Sequence, residues 1–252
     1  MMPHVLVTRP AGQAPELCAR LRERGLQPIP VPTVAIDRIS TAPVIDEMLE
    51  RLDGADWLVI TSANGAEALA DRLAATDRPL PASLRVAAVG PATAGALGRA
   101  HVRVDHVPDE YLTVAIADGL GDVRGRRVVL ARADAATPEL REALEAAGAL
   151  VEEVVAYRTI EGPAESRDAL HVALHREIGG ITFTSSSTVR GLLRLASPTD
   201  RQRARAIPAF CIGPVTAATA RRSGFDVGVV AEDHTATGLA DAIASHLNGG
   251  DR

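Results

Sequence analysis

Short apolar runs recur along the chain, each ending in a turn of glycine, proline, serine or threonine and followed by apolar residues at helical spacing. Val5-Leu6-Val7-Thr8-Arg9 reads as a buried strand; Pro10-Ala11-Gly12 breaks it, and Leu17, Leu21 and Gly25 mark a helix and its end. Ile29 to Ile36 is rich in β-formers, but Pro28, Pro30 and Pro32 in or beside it predict an edge strand or a connector. A helix from about Val44 to Leu52 precedes the strand Trp57-Leu58-Val59-Ile60. Thr61-Ser62-Ala63-Asn64-Gly65 then opens another helix with side chains able to cap it. Val86 to Val89 runs as a strand into Gly90-Pro91 and a helix reaching Leu97. A strand near Val102 to Val107 and a helix from Tyr111 to Leu120 follow. In the Gly-Pro turn, glycine is expected for tightness and proline for the first helical position, where a missing N–H is no loss.

From Arg126 the pattern restarts. One step of 123 residues carries Arg9 onto Arg132, Leu17, Leu21 and Gly25 onto Leu140, Leu144 and Gly148, Thr61-Ser62 onto Thr184-Ser185, Gly90-Pro91 onto Gly213-Pro214, and Thr93 onto Thr216. A single offset across nearly the whole chain implies a duplicated β/α unit. Strands alternating with helices imply α/β architecture: two similar, doubly wound parallel-sheet domains. In such sheets ligands bind at the carboxyl ends of the strands, where helix starts turn unpaired N–H groups toward anions. All four repeated turns lie at such ends. On periodicity alone the boundary falls near residue 123.

Composition narrows the chemistry. The chain has 252 residues, 46% of them hydrophobic, enough for one large or two ordinary cores, which excludes disorder. A net charge of -5 and 2% aromatic residues argue against nucleic acid and against an anionic membrane surface as partners. There is no lysine, since all 27 basic residues are arginine, so a Schiff-base lysine, a pyridoxal phosphate anchor and a Walker lysine are excluded. Cys18 and Cys211 stand in apolar surroundings without CxxC spacing and read as buried thiols. No signal-peptide pattern and no membrane-length apolar run is present, and a soluble cytoplasmic protein is expected.

Taken singly, each repeated turn reads as a helix cap; taken as four matched turns, they read as one binding cleft offering backbone N–H groups, hydroxyls and an amide. Gly119-Leu120-Gly121-Asp122-Val123-Arg124-Gly125 is one residue too long for a dinucleotide loop and lies between a helix and a strand, the reverse of the required context. Ser185, Ser186 and Ser187 lack the GxSxG elbow of a hydrolase. His171 and His175 share a helical face but have no carboxylate at metal-site spacing, and read as a solvated pair. Arg9 and Arg132, at equivalent strand ends, suit either bidentate carboxylate binding or a salt bridge. Tyr157, in Val154-Val155-Ala156-Tyr157-Arg158-Thr159, suits either a weak proton donor or a half-buried packing group.

The ordered set VLVTRP, ITSANGAEAL, AVGPATAGAL, LREALEAAGALVEEVVAYRT, ITFTSSSTV, CIGPVTAATA and VVAEDHTATGLADAI resembles the uroporphyrinogen-III synthase family over most of the chain. Ile60 stands where that family often carries phenylalanine, and His234 where it often carries proline. The resemblance implies two flavodoxin-like domains joined by a two-stranded connector, with the ligand cleft between them. Residues 1–34 plus 162–247 would form one domain and 39–154 the other, with connectors 35–38 and 155–161 and a tail 248–252. It further implies a monomeric enzyme without cofactor or metal that closes hydroxymethylbilane, a linear tetrapyrrole with eight carboxylates, to uroporphyrinogen III with inversion of ring D and loss of water. By the same resemblance Tyr157 is the catalytic acid. Thr61, Ser62, Asn64, Gly90, Thr93, Arg9, Arg132, Ser185, Ser187, Gly213 and Thr216 are then substrate contacts. The alternative class is a non-catalytic two-domain sensor for a small anion or tetrapyrrole.

Overall fold

A computed structural model describes residues 2–108 and 115–249. In chain order the elements begin with β1 (His4–Val7), α1 (Ala14–Glu23), β2 (Gln27–Pro30), β3 (Val34–Asp37), α2 (Ala42–Glu50), β4 (Trp57–Ile60) and α3 (Ala63–Thr76). Then come β5 (Arg85–Ala88), α4 (Pro91–Arg99), α5 (Ala115–Gly119), β6 (Arg127–Ala133), α6 (Glu139–Ala146) and β7 (Leu150–Glu161). After a 3-10 turn (Ala164–Ser166), the chain continues through α7 (Arg167–Leu174), β8 (Gly180–Phe183), α8 (Ser186–Leu195) and α9 (Pro198–Arg205). It ends with β9 (Ala209–Cys211), α10 (Pro214–Arg222), β10 (Val227–Val230) and α11 (Ala236–Gly249).

The chain divides into two compact units, Met1–Ala35 with Ile160–Arg252 and Ile36–Thr159. The first holds a sheet ordered β10-β9-β8-β1-β2, parallel throughout. The second holds β3-β7-β6-β4-β5, in which β7, β6, β4 and β5 run parallel. The order β9-β8-β1-β2 is the 123-residue image of β5-β4-β6-β7. The first strand–helix–strand of each copy therefore sits in the sheet built by the rest of the other copy. A cut near residue 123 would part β4 from β6, which pairs with it from Trp57↔Val128 to Ile60↔Ala131.

Alternation along each strand feeds a separate core on either face. Leu58, Ile60 and Val129 enter one apolar cluster of the second unit, while Trp57, Val59 and Val128 enter another. In the first unit Leu6 faces one cluster, and Val5 and Val7 the other.

Departures from the expected elements have local causes. The proline-bearing β2 is a sheet edge, as Pro28 and Pro30 require. Near Val102 to Val107 there is, instead of a strand, a single parallel bridge, Ala87↔His106. There the Asp105 carboxylate takes the Val86 N–H at 2.9 Å in place of a backbone rung. Of the helix expected from Tyr111 to Leu120, α5 covers Ala115–Gly119, and residues 111–114 lie outside the described residues. Gly25 and Gly148 end their helices at φ +73° and +88°, as left-handed caps. Both cysteines are buried and free, and burial pushes the Cys211 thiol up to about 11, far from a thiolate at neutral pH.

Candidate active site

In the second unit, the ends of β4, β5 and β6 carry Thr61, Gly90 and Arg132, and Tyr157 stands on β7 at the last position paired with β6. Ser62 is the N-cap of α3 and its Oγ accepts the Gly65 N–H at 3.1 Å. The same hydroxyl donates to the Tyr157 Oη at 3.1 Å. Tyr157 reaches it because β7 slips register against β6: Arg132 pairs with Val155 but Ala133 with Tyr157, so Ala156 is the extra residue of a bulge. Such a bulge re-aims the side chain that follows it. The ring packs in the core cluster around Ile60 and Ala131, with 7% of the residue exposed. A packing role and a placed hydroxyl thus coexist in one residue. Asn64 is half-buried in the first turn of α3, as is Thr61 before it.

In the first unit Ser185 caps α8, with φ and ψ of -163° and 162° against -161° and 157° at Ser62. Its third residue is Thr188 where α3 has Gly65, and this changes what the serine can do. Thr188 closes a capping box: its N–H donates to Ser185 Oγ at 3.2 Å and its Oγ1 accepts the Ser185 N–H at 3.3 Å. Ser186 bonds Thr219 at 2.8 Å, and Ser187 accepts from Arg190 at 3.1 Å.

Gly90 and Gly213 cap α4 and α10 at φ/ψ of -174°/177° and -174°/175°. That is extended backbone open to any residue, so tightness of turn is not what glycine supplies. At Gly213 the gain is space: a Cβ there would stand 3.2 Å from the imidazole of His234. His234, which the sequence marked only as a departure from the family, therefore lies over this turn. Thr93 and Thr216 are buried in the first turns of the two helices. The first-turn N–H groups of both helices have no acceptor within the helix, and the helix dipole favours an anion there.

The two arginines differ. The Arg132 side chain is 2% exposed, places Nη1 3.1 Å from Glu153 and donates through Nη2 to the Thr137 carbonyl. It pairs with a half-exposed carboxylate and braces the turn after β6, while its Nε and Nη1 are buried without a hydrogen-bond partner. Arg9 stands at 16% exposure with Nη1 3.5 Å from Glu16, too long for a hydrogen bond, and its Nε is buried without a partner. Burial pulls its pKa below the ordinary guanidinium value, with Glu16 opposing, and it remains a cation.

Two α/β units of the doubly wound type present capped helix starts at the carboxyl ends of their strands, the second holds a phenol against a capping serine, and the one thiol at a strand end, Cys211, is buried. The family model described as Uroporphyrinogen-III synthase HemD matches residues 15–241, and the chain belongs to that family. It is 32% identical to the uroporphyrinogen-III synthase of Synechococcus elongatus over 95% of this chain and 93% of that one. Two crystal structures share the fold. A mutant uroporphyrinogen III synthase from Thermus thermophilus matches at 22% identity, TM-score 0.68, over 98% and 99% of the chains. The enzyme from Helicobacter pylori matches at 16% identity, TM-score 0.63, over the full length of both. Among the described residues, no helix is long and apolar enough to cross a membrane.

Proposed function

We propose that this chain closes hydroxymethylbilane to uroporphyrinogen III in tetrapyrrole biosynthesis, with inversion of ring D through a spiro intermediate and loss of water. The family match over residues 15–241 carries the reading, and the Gly65–Ser62–Tyr157 relay gives it a mechanism. The C–O bond of the terminal hydroxymethyl group breaks, and the leaving oxygen takes the phenolic proton and departs as water. Ser62 Oγ donates to the phenol oxygen, so it directs that proton away from itself and stabilises the phenolate left behind. The bilane can lose its hydroxyl unaided; what it cannot do unaided is favour attack at the crowded end of ring D. Holding the chain in the conformation for that attack needs orientation and differential binding rather than a strong nucleophile or a cofactor.

The substrate carboxylates, which a protein of net charge -5 must meet locally, are assigned to matched devices in each unit. In the second unit these are the helix starts at Thr61, Ser62 and Asn64 and at Gly90 and Thr93. In the first they are those at Ser185 and Ser187 and at Gly213 and Thr216, with Arg9 adding a cation. The test is to supply freshly generated hydroxymethylbilane, oxidise the products and separate the porphyrin isomers. Isomer III in excess is expected; isomer I alone in the presence of folded protein overturns the proposal.

A further inference from the structure

Helices α7 and α9 pack on one another in the first unit. Each leads into the amino end of the strand after it, β8 or β9, so their junction lies at the opposite end of the sheet from the turns described above. His171 lies on α7 and His175 caps its carboxyl end one turn later, with ring centroids 4.3 Å apart. The carboxylate that their spacing lacks in sequence comes from Asp200 in the first turn of α9. His171 Nδ1 lies 3.2 and 3.1 Å from its two oxygens. One ligand atom from each of the three residues falls within 4.8 Å of the others.

We propose that His171, His175 and Asp200 form a binding site for a divalent d-block cation of the Zn2+ type, tying α7 to the start of α9. Two imidazoles and a carboxylate are a donor set such ions favour. The Nδ1–oxygen separation at His171 is close to the edge between neighbouring ligands of tetrahedral zinc, roughly 3.3 Å for bonds of about 2.0 Å, so the two atoms are spaced to share one cation. His175 Nδ1 donates to the His171 carbonyl at 2.8 Å. That bond fixes the tautomer and leaves Nε2 with its lone pair, the outer support metal-binding histidines ordinarily have.

Asp200 is a prepared ligand as well. It is buried, Ser197 Oγ donates to its Oδ2 at 2.8 Å, and its own N–H returns to that hydroxyl at 3.1 Å. The His171 side chain is 58% exposed, which gives a cation its entry and leaves a fourth position to water. At this end of the sheet the ion braces two helices and takes no part in ring closure.

Titration of the intact, chelator-stripped chain with Zn2+ tests the site, with bound metal counted by elemental analysis after gel filtration and thermal unfolding followed in parallel. The parent is expected to retain one Zn2+ per chain and to unfold at a higher temperature with the metal. His175→Ala changes an exposed residue and leaves the fold intact; it is expected to bind at least tenfold more weakly and to lose the thermal shift. The double variant His171→Gln/His175→Gln is expected to retain none. A parent that retains no Zn2+, or a double variant that still retains one, overturns the proposal.

Discussion

A phenol is useful as an acid only if its oxygen is held while the proton leaves. At Tyr157, the proposed acid, the holder is Ser62, itself oriented by the Gly65 N–H, so three residues are linked in series. Tyr157→Phe keeps the ring in its core cluster and removes the hydroxyl, with the proton it carries and the oxygen that accepts from Ser62. It is expected to lower kcat by about a hundredfold while product affinity barely changes, as read from steady-state rates and a product titration. Equal turnover in variant and parent would take the proton-donor role away. Ser62→Ala is expected to lower kcat less and to cost about 1 kcal/mol of stability, since the cap goes too. The residues around Tyr157 announce a β-rich run but not the bulge: alternation alone sends Tyr157 and Val155 to one face, and the slip at Ala156 depends on the partner strand. Arg132 shows the opposite limit. Its place at a strand end was legible, while its partner Glu153 lies on the adjoining strand and is set by register.

Whole elements are more legible in the sequence than their contacts, because period and punctuation are local while close approach is not. Gly191 in α8 looks in sequence like an ordinary helical glycine, yet a Cβ there would stand 1.9 Å from the Thr33 carbonyl oxygen. The helix and the chain at Thr33 are also joined by Thr33 Oγ1 donating to the Thr188 carbonyl at 2.8 Å. Gly191→Ala must therefore push a backbone segment aside and is expected to destabilise by roughly 2 to 3 kcal/mol. Gly98 in α4 has nothing within 4 Å of the same atom, and Gly98→Ala is expected to stabilise by roughly 0.5 to 1 kcal/mol. Urea titrations of the two variants beside the parent check both signs; a shift in the same direction for both would refute the distinction.

At the scale of the molecule, the duplication is written in the order of residues and the partition in the pairing of strands, so the two do not coincide. The 123-residue step exposed the repeat because it is a property of the chain alone. It left the division open, because which copy of the first strand–helix–strand enters which sheet is a tertiary choice. Each of the four apolar clusters among the described residues draws on one unit only, two from Ile36–Thr159 and two from the remainder. Residues 36–159 accordingly hold a sheet with both faces covered, and as an isolated fragment they are expected to unfold cooperatively on heating. Residues 1–123, cut where the repeat ends, contain β4 and β5 without β6, and β1 and β2 without β8. Two partial sheets then expose Leu58, Ile60, Leu6 and Val7 along edges that are central in the whole chain. That fragment is expected to show no cooperative transition by far-ultraviolet circular dichroism at the same concentration. A sharp transition in 1–123 with none in 36–159 would mean that stability follows the repeat and not the sheets.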